Sequence, residues 1–330
     1  MPITIDDISR QLGLSVSTVS KALNDYEDVS PRTKERVRVA AAALGYHPSA
    51  AARNLRRQRT EKLGFSYGFP TTYIGEFASR LINGAVAAAE QEGYNLTLYP
   101  LSGQRMHQLV RIARSREVDG ILLMGGSEWE EAVDLLRQEG MPFVLLNRRS
   151  EDPAISFVTS DHLAAGDLVT QHLLDRGHRR IGFVTRPELS TGIDRIAGYR
   201  QALERAGLPF DPALVTGAPI TPGAAHTAAA QLLALPDPPT ALIGLTDPVA
   251  IACLQAAQAA GRRVPEDVAV AGSDDIREAL AAIPPLTTLH PPLAEIGRLA
   301  TAALLAQVNH PEQPPVRLQL PVTLVVRQST

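Results

Sequence analysis

From residue 63 onward, apolar runs of strand length alternate with helix-length stretches. Few folds satisfy that alternation except parallel sheets covered by helices on both faces. The strand-like runs read LGFSYGF (63–69), YNLTLYP (94–100), DGILLMG (119–125) and PFVLLN (142–147). Stretches near 75–92, 104–116 and 128–139 carry apolar residues at helical spacing between them. A second series follows: RRIGFVT (179–185), ALVTGAP (213–219), TALIGLT (240–246) and DVAVAGS (267–273), with helices near 162–176, 194–206, 222–234 and 247–260. Two such series predict two similar lobes, within a chain of 330 residues that has room for two or three domains. Neither GxGxxG nor GxxxxGK[ST] occurs, so dinucleotide and nucleoside-triphosphate readings lose support.

The first sixty residues read instead as three short helices. Thr4 caps the first, with Asp6 and Asp7 near its positive end and Ile5, Ile8 and Leu12 on one face. Gly13 makes a turn, and Ser15 caps a second helix whose Val16, Val19 and Leu23 share a face. Ser30-Pro31 opens a third, with Val37, Ala40, Ala41 and Leu44 as its apolar stripe and Gly45 as its stop. Two short helices joined at Gly13-Leu14-Ser15 match a helix-turn-helix, whose second helix enters the major groove. Val16, Ser17, Ser20 and Lys21 are then the candidates at base edges. Val16 suits a thymine methyl, and the Ser17 hydroxyl can donate or accept. Thr18, Asn24, Ser30, Thr33 and Arg36 are candidates for the phosphate backbone, and Thr4 and Ser15 join them at the helix starts. A small helical bundle with no DNA role fits the same pattern.

Charge distribution favours an anionic partner for this segment. The chain carries a net −3, but residues 1–62 hold 11 Lys/Arg against 7 Asp/Glu, and the remainder 21 against 28. A basic head therefore sits on an acidic body. No run of about 18 apolar residues predicts a membrane span. The start, MPITIDDISR, places acids where a signal peptide is basic, so the cytoplasm is the expected location. The single cysteine, Cys253, excludes an internal disulfide and a Cys-rich zinc site. His172 and His178 read as structural. No nucleophile elbow or HExxH occurs, and no enzyme activity, metal or cofactor is expected.

The stretches LGLSVSTVSKALN, VSPRTKERV and LGYHPSAAARNL resemble the DNA-binding head of the LacI/GalR family of transcriptional regulators. HLLDRGHRRIGFVT, DRIAGYRQALERAGL, GRRVPEDVAVAGSDD and PPLTTLHPPLAEIGRLA are similar to its regulatory core, so the resemblance spans nearly the whole chain. It implies an α/β core like periplasmic sugar-binding proteins, two lobes of parallel sheets joined by three crossovers, behind an all-α helix-turn-helix domain. The expected divisions are 1–47 for the head, 48–62 for a hinge helix and linker, and 63–330 for the core. Within the core, one lobe spans about 63–158 and 290–320, the other about 159–289 and 321–330. Crossovers are expected near 156–162, 286–292 and 318–326. The resemblance further implies operator binding by Val16 and Ser17 in a homodimer, and a hinge that becomes helical on DNA. Lys21 departs from the commoner Arg. In the hinge, Ser49 can cap a helix, Ala52 and Leu55 match the positions that enter the minor groove, and Arg53 and Arg56 are further DNA-binding candidates. Such a short helix is marginal alone and needs the support of bent DNA. A flexible basic tether is the other reading.

In open α/β sheets, ligands bind beyond the carboxyl ends of the strands. Tyr73, Phe77, Trp129, Arg148, Arg195, Thr246, Asp247 and Asp274 lie there. Aromatic faces beside charged donors and acceptors suit a sugar-like effector. The resemblance assigns Arg195 and Asp274 to common effector contacts, with Thr246 standing where Asn is frequent and Arg148 at a position that varies with the ligand. The expected function is a repressor of carbohydrate-utilisation genes controlled by that effector. A purine-type corepressor, or a sugar-binding transport component, is the alternative.

Overall fold

In the computed structural model, the residues described are 3–46, 59–67, 75–100, 106–124, 129–219 and 221–330. The chain divides into two units, residues 1–61 and 62–330. In the first, α1 (Ile5–Leu12), α2 (Val16–Leu23) and α3 (Pro31–Leu44) enclose Ile8, Val19, Ala22, Val37, Ala40 and Ala41. The Ser15 and Ser30 hydroxyls accept from the amides of Thr18 (3.1 Å) and Thr33 (3.2 Å), and Gly13 and Gly45 end their helices with positive φ.

The second unit holds two six-stranded sheets. The first contains β1 (Lys62–Tyr67), β2 (Asn95–Pro100), β3 (Gly120–Met124), β4 (Phe143–Leu146), β5 (Phe157–Ser160) and β11 (Arg317–Leu320), in the order β2-β1-β3-β4-β5-β11, all parallel. Its central runs are buried on both faces, and alternation divides them cleanly. Leu122, Met124, Val144, Leu146 and Val158 face α4 (Glu76–Gln91) and α12 (Leu293–Asn309). Ile121, Leu123, Phe143, Leu145 and Phe157 face α5 (Met106–Ser115) and α6 (Trp129–Gln138).

The second sheet contains β6 (Ile181–Thr185), β7 (Val215–Gly217), β8 (Ala241–Gly244), β9 (Ala269–Ser273), β10 (Thr287–His290) and β12 (Thr323–Val325), in the order β7-β6-β8-β9-β10-β12. Only β12 runs antiparallel, to β10. Around it pack α7 (His162–Asp175), α8 (Ser190–Arg205), α9 (Pro222–Leu233), α10 (Asp247–Ala259) and the short α11 (Arg277–Ala281). The chain passes between sheets three times: from β5 to α7, from β10 to α12, and from β11 to β12.

Close helix pairs recur in the two lobes. A Cβ on Gly84 of α4 would sit 1.9 Å from the Ala294 carbonyl oxygen of α12, and one on Gly297 would sit 2.1 Å from that of Leu81. The same device joins α7 and α8: a Cβ on Gly166 would lie 2.1 Å from the Arg195 carbonyl oxygen, and one on Gly198 would lie 2.0 Å from that of Leu163. The second pair fixes the height of Arg195 above its sheet. No helix among the described residues is long and apolar enough to cross a membrane.

Candidate functional site

Five buried polar side-chain atoms belong to residues near the ends of the second-lobe strands and the first crossing between lobes. Ser160 ends β5, Thr185 ends β6, Ser190 opens α8, Thr246 follows β8, and Arg195 lies one turn into α8. Their Ser160 Oγ, Thr185 Oγ1, Ser190 Oγ, Thr246 Oγ1 and Arg195 Nε are buried and find no hydrogen-bond partner among the described residues. A buried polar group without a partner costs roughly 1–3 kcal/mol, so these residues are the candidates for holding a polar molecule.

Arg195 is the centre of this group. Its guanidinium donates to the Leu245 carbonyl and, at 3.4 Å, to Nδ1 of His162. Because a guanidinium only donates, Nδ1 must accept and the His162 proton must sit on Nε2, which donates to Thr159 Oγ1 at 3.1 Å. Burial, with Arg195 and Arg149 nearby, keeps His162 neutral by pushing its pKa well below the usual range. Burial also lowers the pKa of Arg195, against the pull of Asp274 and Asp247. Asp274 is buried, and desolvation with the neighbouring Asp247 pushes its carboxyl well above the ordinary value, Arg195 opposing. The Asp274 carboxyl also accepts from the Asp247 amide and the Ser273 hydroxyl, whereas Arg195 keeps its Nε without a partner among the described residues.

Asp247 has a different role from the one expected. It is fully buried, and both its oxygens are already engaged. Oδ2 accepts from the Ile276 amide at 3.0 Å, and Oδ1 accepts from Thr288 Oγ1 at 2.5 Å. Burial pushes its pKa up to about 6, with those two hydrogen bonds opposing the rise. Asp247 therefore ties the turn after β9 to β10 rather than offering itself to a ligand. Trp129 and Arg148 are brought together in the first lobe, the guanidinium 4.7 Å from the indole centroid. One indole face is thereby covered, which weakens the expected stacking on an effector. Burial brings the Arg148 pKa down to about 10, Glu130 opposing. Phe77 packs in part against the core beneath α4. Tyr73 lies outside the described residues. Among the described residues, no group of three or more His, Cys, Asp or Glu is placed to hold a metal ion.

The two lobes touch beside these residues. Arg149, next to Arg148, makes a bidentate ion pair with Asp194, next to Arg195, with N–O distances of 2.7 and 2.7 Å. On the other side, Glu76 and Arg80 of α4 reach the backbone of residues 274–277. A mostly apolar groove of about 710 Å³ starts at Glu76, Phe77 and Asp274 and runs along α10 and α11, where Leu280 and Ile283 are 63% and 81% exposed.

In the first unit, Val16 and Ser17 are exposed side by side at the start of α2, while Val19 and Ala22 are buried beneath them. Several expected DNA contacts already have internal partners. Thr4 donates from its amide (2.9 Å) and hydroxyl (2.8 Å) to Asp7, and the Ser15 and Thr18 hydroxyls share a bond of 2.8 Å. Lys21 pairs with Asp28, and the Asn24 side chain donates to the Ser20 carbonyl at 2.7 Å. The Ser30 and Thr33 hydroxyls pair at 2.9 Å, and Arg36 is exposed on α3. Ser49, Ala52, Arg53, Leu55 and Arg56 lie outside the described residues.

Ser160, His162, Thr185 and Ser190 were not among the expected site residues. Thr185 was the last residue of an expected strand, so the rule that selected Arg195 reaches it too. Ser160 escaped because the four-residue β5 is too short to signal itself.

Comparisons with known proteins show what the chain is similar to. Residues 4–49 match the family model described as bacterial regulatory proteins, lacI family, and residues 170–330 match a periplasmic binding protein-like domain. The ribose operon repressor of Escherichia coli strain K12 is 34% identical over 330 residues, covering 99% of each chain. The transcriptional repressor PurR of Photobacterium profundum is 31% identical, covering 99% of this chain and 98% of its own. A solved complex of the transcriptional regulator CelR with cellobiose matches with a TM-score of 0.79 and 31% identity, over 99% of this chain and all of that one.

Proposed function

The chain belongs to the lacI family of bacterial regulatory proteins, and on that premise we propose that it represses carbohydrate-utilisation genes under the control of a sugar bound between its core lobes. It is a sequence-specific DNA-binding transcriptional regulator acting as a homodimer, so that two heads meet a roughly palindromic operator. The observation that carries the sugar reading is the group of buried hydroxyls around Arg195. Ser160, Thr185, Ser190 and Thr246 each both donate and accept, as ring hydroxyls do, and Arg195 with Asp274 supplies a directed donor and acceptor. The ribose repressor and the CelR–cellobiose complex support a sugar for this chain too. The PurR likeness favours a purine corepressor as the second reading. In either case the core binds without catalysing a reaction.

Val16 and Ser17 read bases. A thermal-shift screen of the full-length protein with D-ribose, cellobiose, adenine and hypoxanthine tests the effector class. A ligand at 100 times its dissociation constant stabilises the protein by about 2.7 kcal/mol. A shift with a purine and none with either sugar would replace the sugar reading by the purine one.

A further inference from the structure

Asp274 and Asp275 hold φ values of 122° and 51°, which residues with side chains rarely take. Two such residues in succession persist only where surrounding contacts over-determine them. Part of that support comes from their own lobe. The Asp274 amide donates to the Leu289 carbonyl at 2.9 Å, and Asp247 accepts from the Ile276 amide at 3.0 Å. The Asp275 carboxylate accepts from His290 Nδ1 at 2.8 Å and from Arg327.

The rest comes from the opposite lobe. Arg80 donates to the Asp275 carbonyl at 2.9 Å and to the Asp274 carbonyl at 3.5 Å. Glu76, one turn earlier on α4, accepts from the Arg277 amide at 2.7 Å with one oxygen and from Arg80 at 2.7 Å with the other. The ion pair thus grips three of four consecutive backbone units, 274, 275 and 277, from across the gap. The Arg149–Asp194 bridge is different, because it joins side chains and supports no left-handed turn.

We infer that Glu76 and Arg80 are positioning residues for effector recognition: from the first lobe they hold the second-lobe turn Asp274–Arg277 in the shape that presents Asp274. The inference rests on the assignment of Asp274 to the effector site. Lobe closure and the shaping of Asp274 are then one event. An effector that draws on Asp274 binds the closed arrangement better than the open one, and that difference is what lets it shift the equilibrium.

Amide exchange read by mass spectrometry on the full-length chain tests the grip without any ligand. In Glu76→Gln and Arg80→Met, peptides spanning 274–279 should exchange about fivefold faster, the size expected of one lost hydrogen bond. Peptides from β8 and β9 should be unchanged. The double variant should exchange little faster than the worse single one, because the pair acts as a unit. Arg80→Lys, which keeps a donor, should recover part of the protection. Unchanged exchange at 274–279 overturns the inference. Calorimetry with D-ribose and cellobiose adds the binding readout. A sugar that binds the parent should bind both variants more weakly, and the loss should vanish in an Asp274→Ala background. Faster exchange with undiminished affinity overturns positioning and leaves only a structural contact. If neither sugar binds the parent, the sugar reading fails separately and the exchange result alone decides the grip.

Discussion

Replacing Gly166 with Ala sets helix propensity against packing, and the structure decides which wins. In an open helix, Gly→Ala gains about 1 kcal/mol. At Gly166, however, the added methyl would lie 2.1 Å from the Arg195 carbonyl oxygen and 2.8 Å from its carbonyl carbon and Cα. Ordinary contact begins near 3.4 Å, so α7 and α8 must separate by more than an ångström there. All three neighbours are backbone atoms, which cannot rotate away as a side-chain tip would. Overpacking of this kind costs about 1–3 kcal/mol, and backbone on both sides places it at the upper end. The net is a loss of about 2 kcal/mol, or roughly 4–8 °C in the core melting transition. Gly223→Ala is the matched control. Nothing lies within 4 Å of its Cβ position, so it should stabilise by up to about 1 kcal/mol. Scanning calorimetry of both variants against the parent compares them directly. Should Gly166→Ala melt at or above the parent, the close approach of α7 and α8 does not constrain the site.

Three further outcomes follow from named contacts. Val16→Ala with Ser17→Ala should cost ~1–3 kcal/mol on operator DNA and far less on random DNA; in a competition gel shift, equal losses would show that these residues do not read sequence. The Arg149–Asp194 pair is bidentate but partly exposed, at 30% and 13%, so a double-mutant cycle on core unfolding should give a coupling of about 1 kcal/mol after solvent screening; a coupling indistinguishable from zero would remove it as a bridge between lobes. Asp247 rises from 3.8 to about 6 on folding, so between those values the native chain holds a proton that the unfolded chain has released. Its contribution to stability is therefore greatest at low pH and falls as pH rises through about 4 to 6. Relative to the parent, Asp247→Asn should gain on the order of 2–3 kcal/mol between pH 4 and pH 7, read by urea titration at each pH, and a constant gap would contradict the buried charge.

The regular part of the fold was legible because its signals are local. Strands such as Gly120–Met124 are continuous apolar runs, and their bounds fall within a residue or two of the expected ones. Legibility fades after residue 273, where the chain must leave one sheet, join the other and return. Thr287–His290 and Thr323–Val325 are too short to alternate visibly, and Arg317–Leu320 is a largely exposed edge strand with no apolar run to show. Helix α8 opens at Ser190 rather than near 194, and its N-cap, Leu189, has no capping side chain to mark the start. Position beyond a strand end is enough to bring Arg195, Thr246 and Asp274 into the candidate site. It could not separate Asp247 from them. Only long-range partners, Ile276 and Thr288, show that its carboxylate is already satisfied. Glu76 and Arg80 carried no signal at all, because what they hold lies some two hundred residues away.

In the proposed function, a sugar at Arg195 controls DNA binding by the head. The most direct measurement selects the preferred DNA from a random pool with the full-length chain, then titrates that DNA by fluorescence anisotropy with and without the sugar found in the thermal-shift screen. The parent's affinity should change by about tenfold or more, within the range of coupling energies between distinct sites. Arg195→Ala should bind the DNA as the parent does without sugar and should not respond when sugar is added. A full response in Arg195→Ala, or failure of the parent to select any sequence from the pool, would contradict the account.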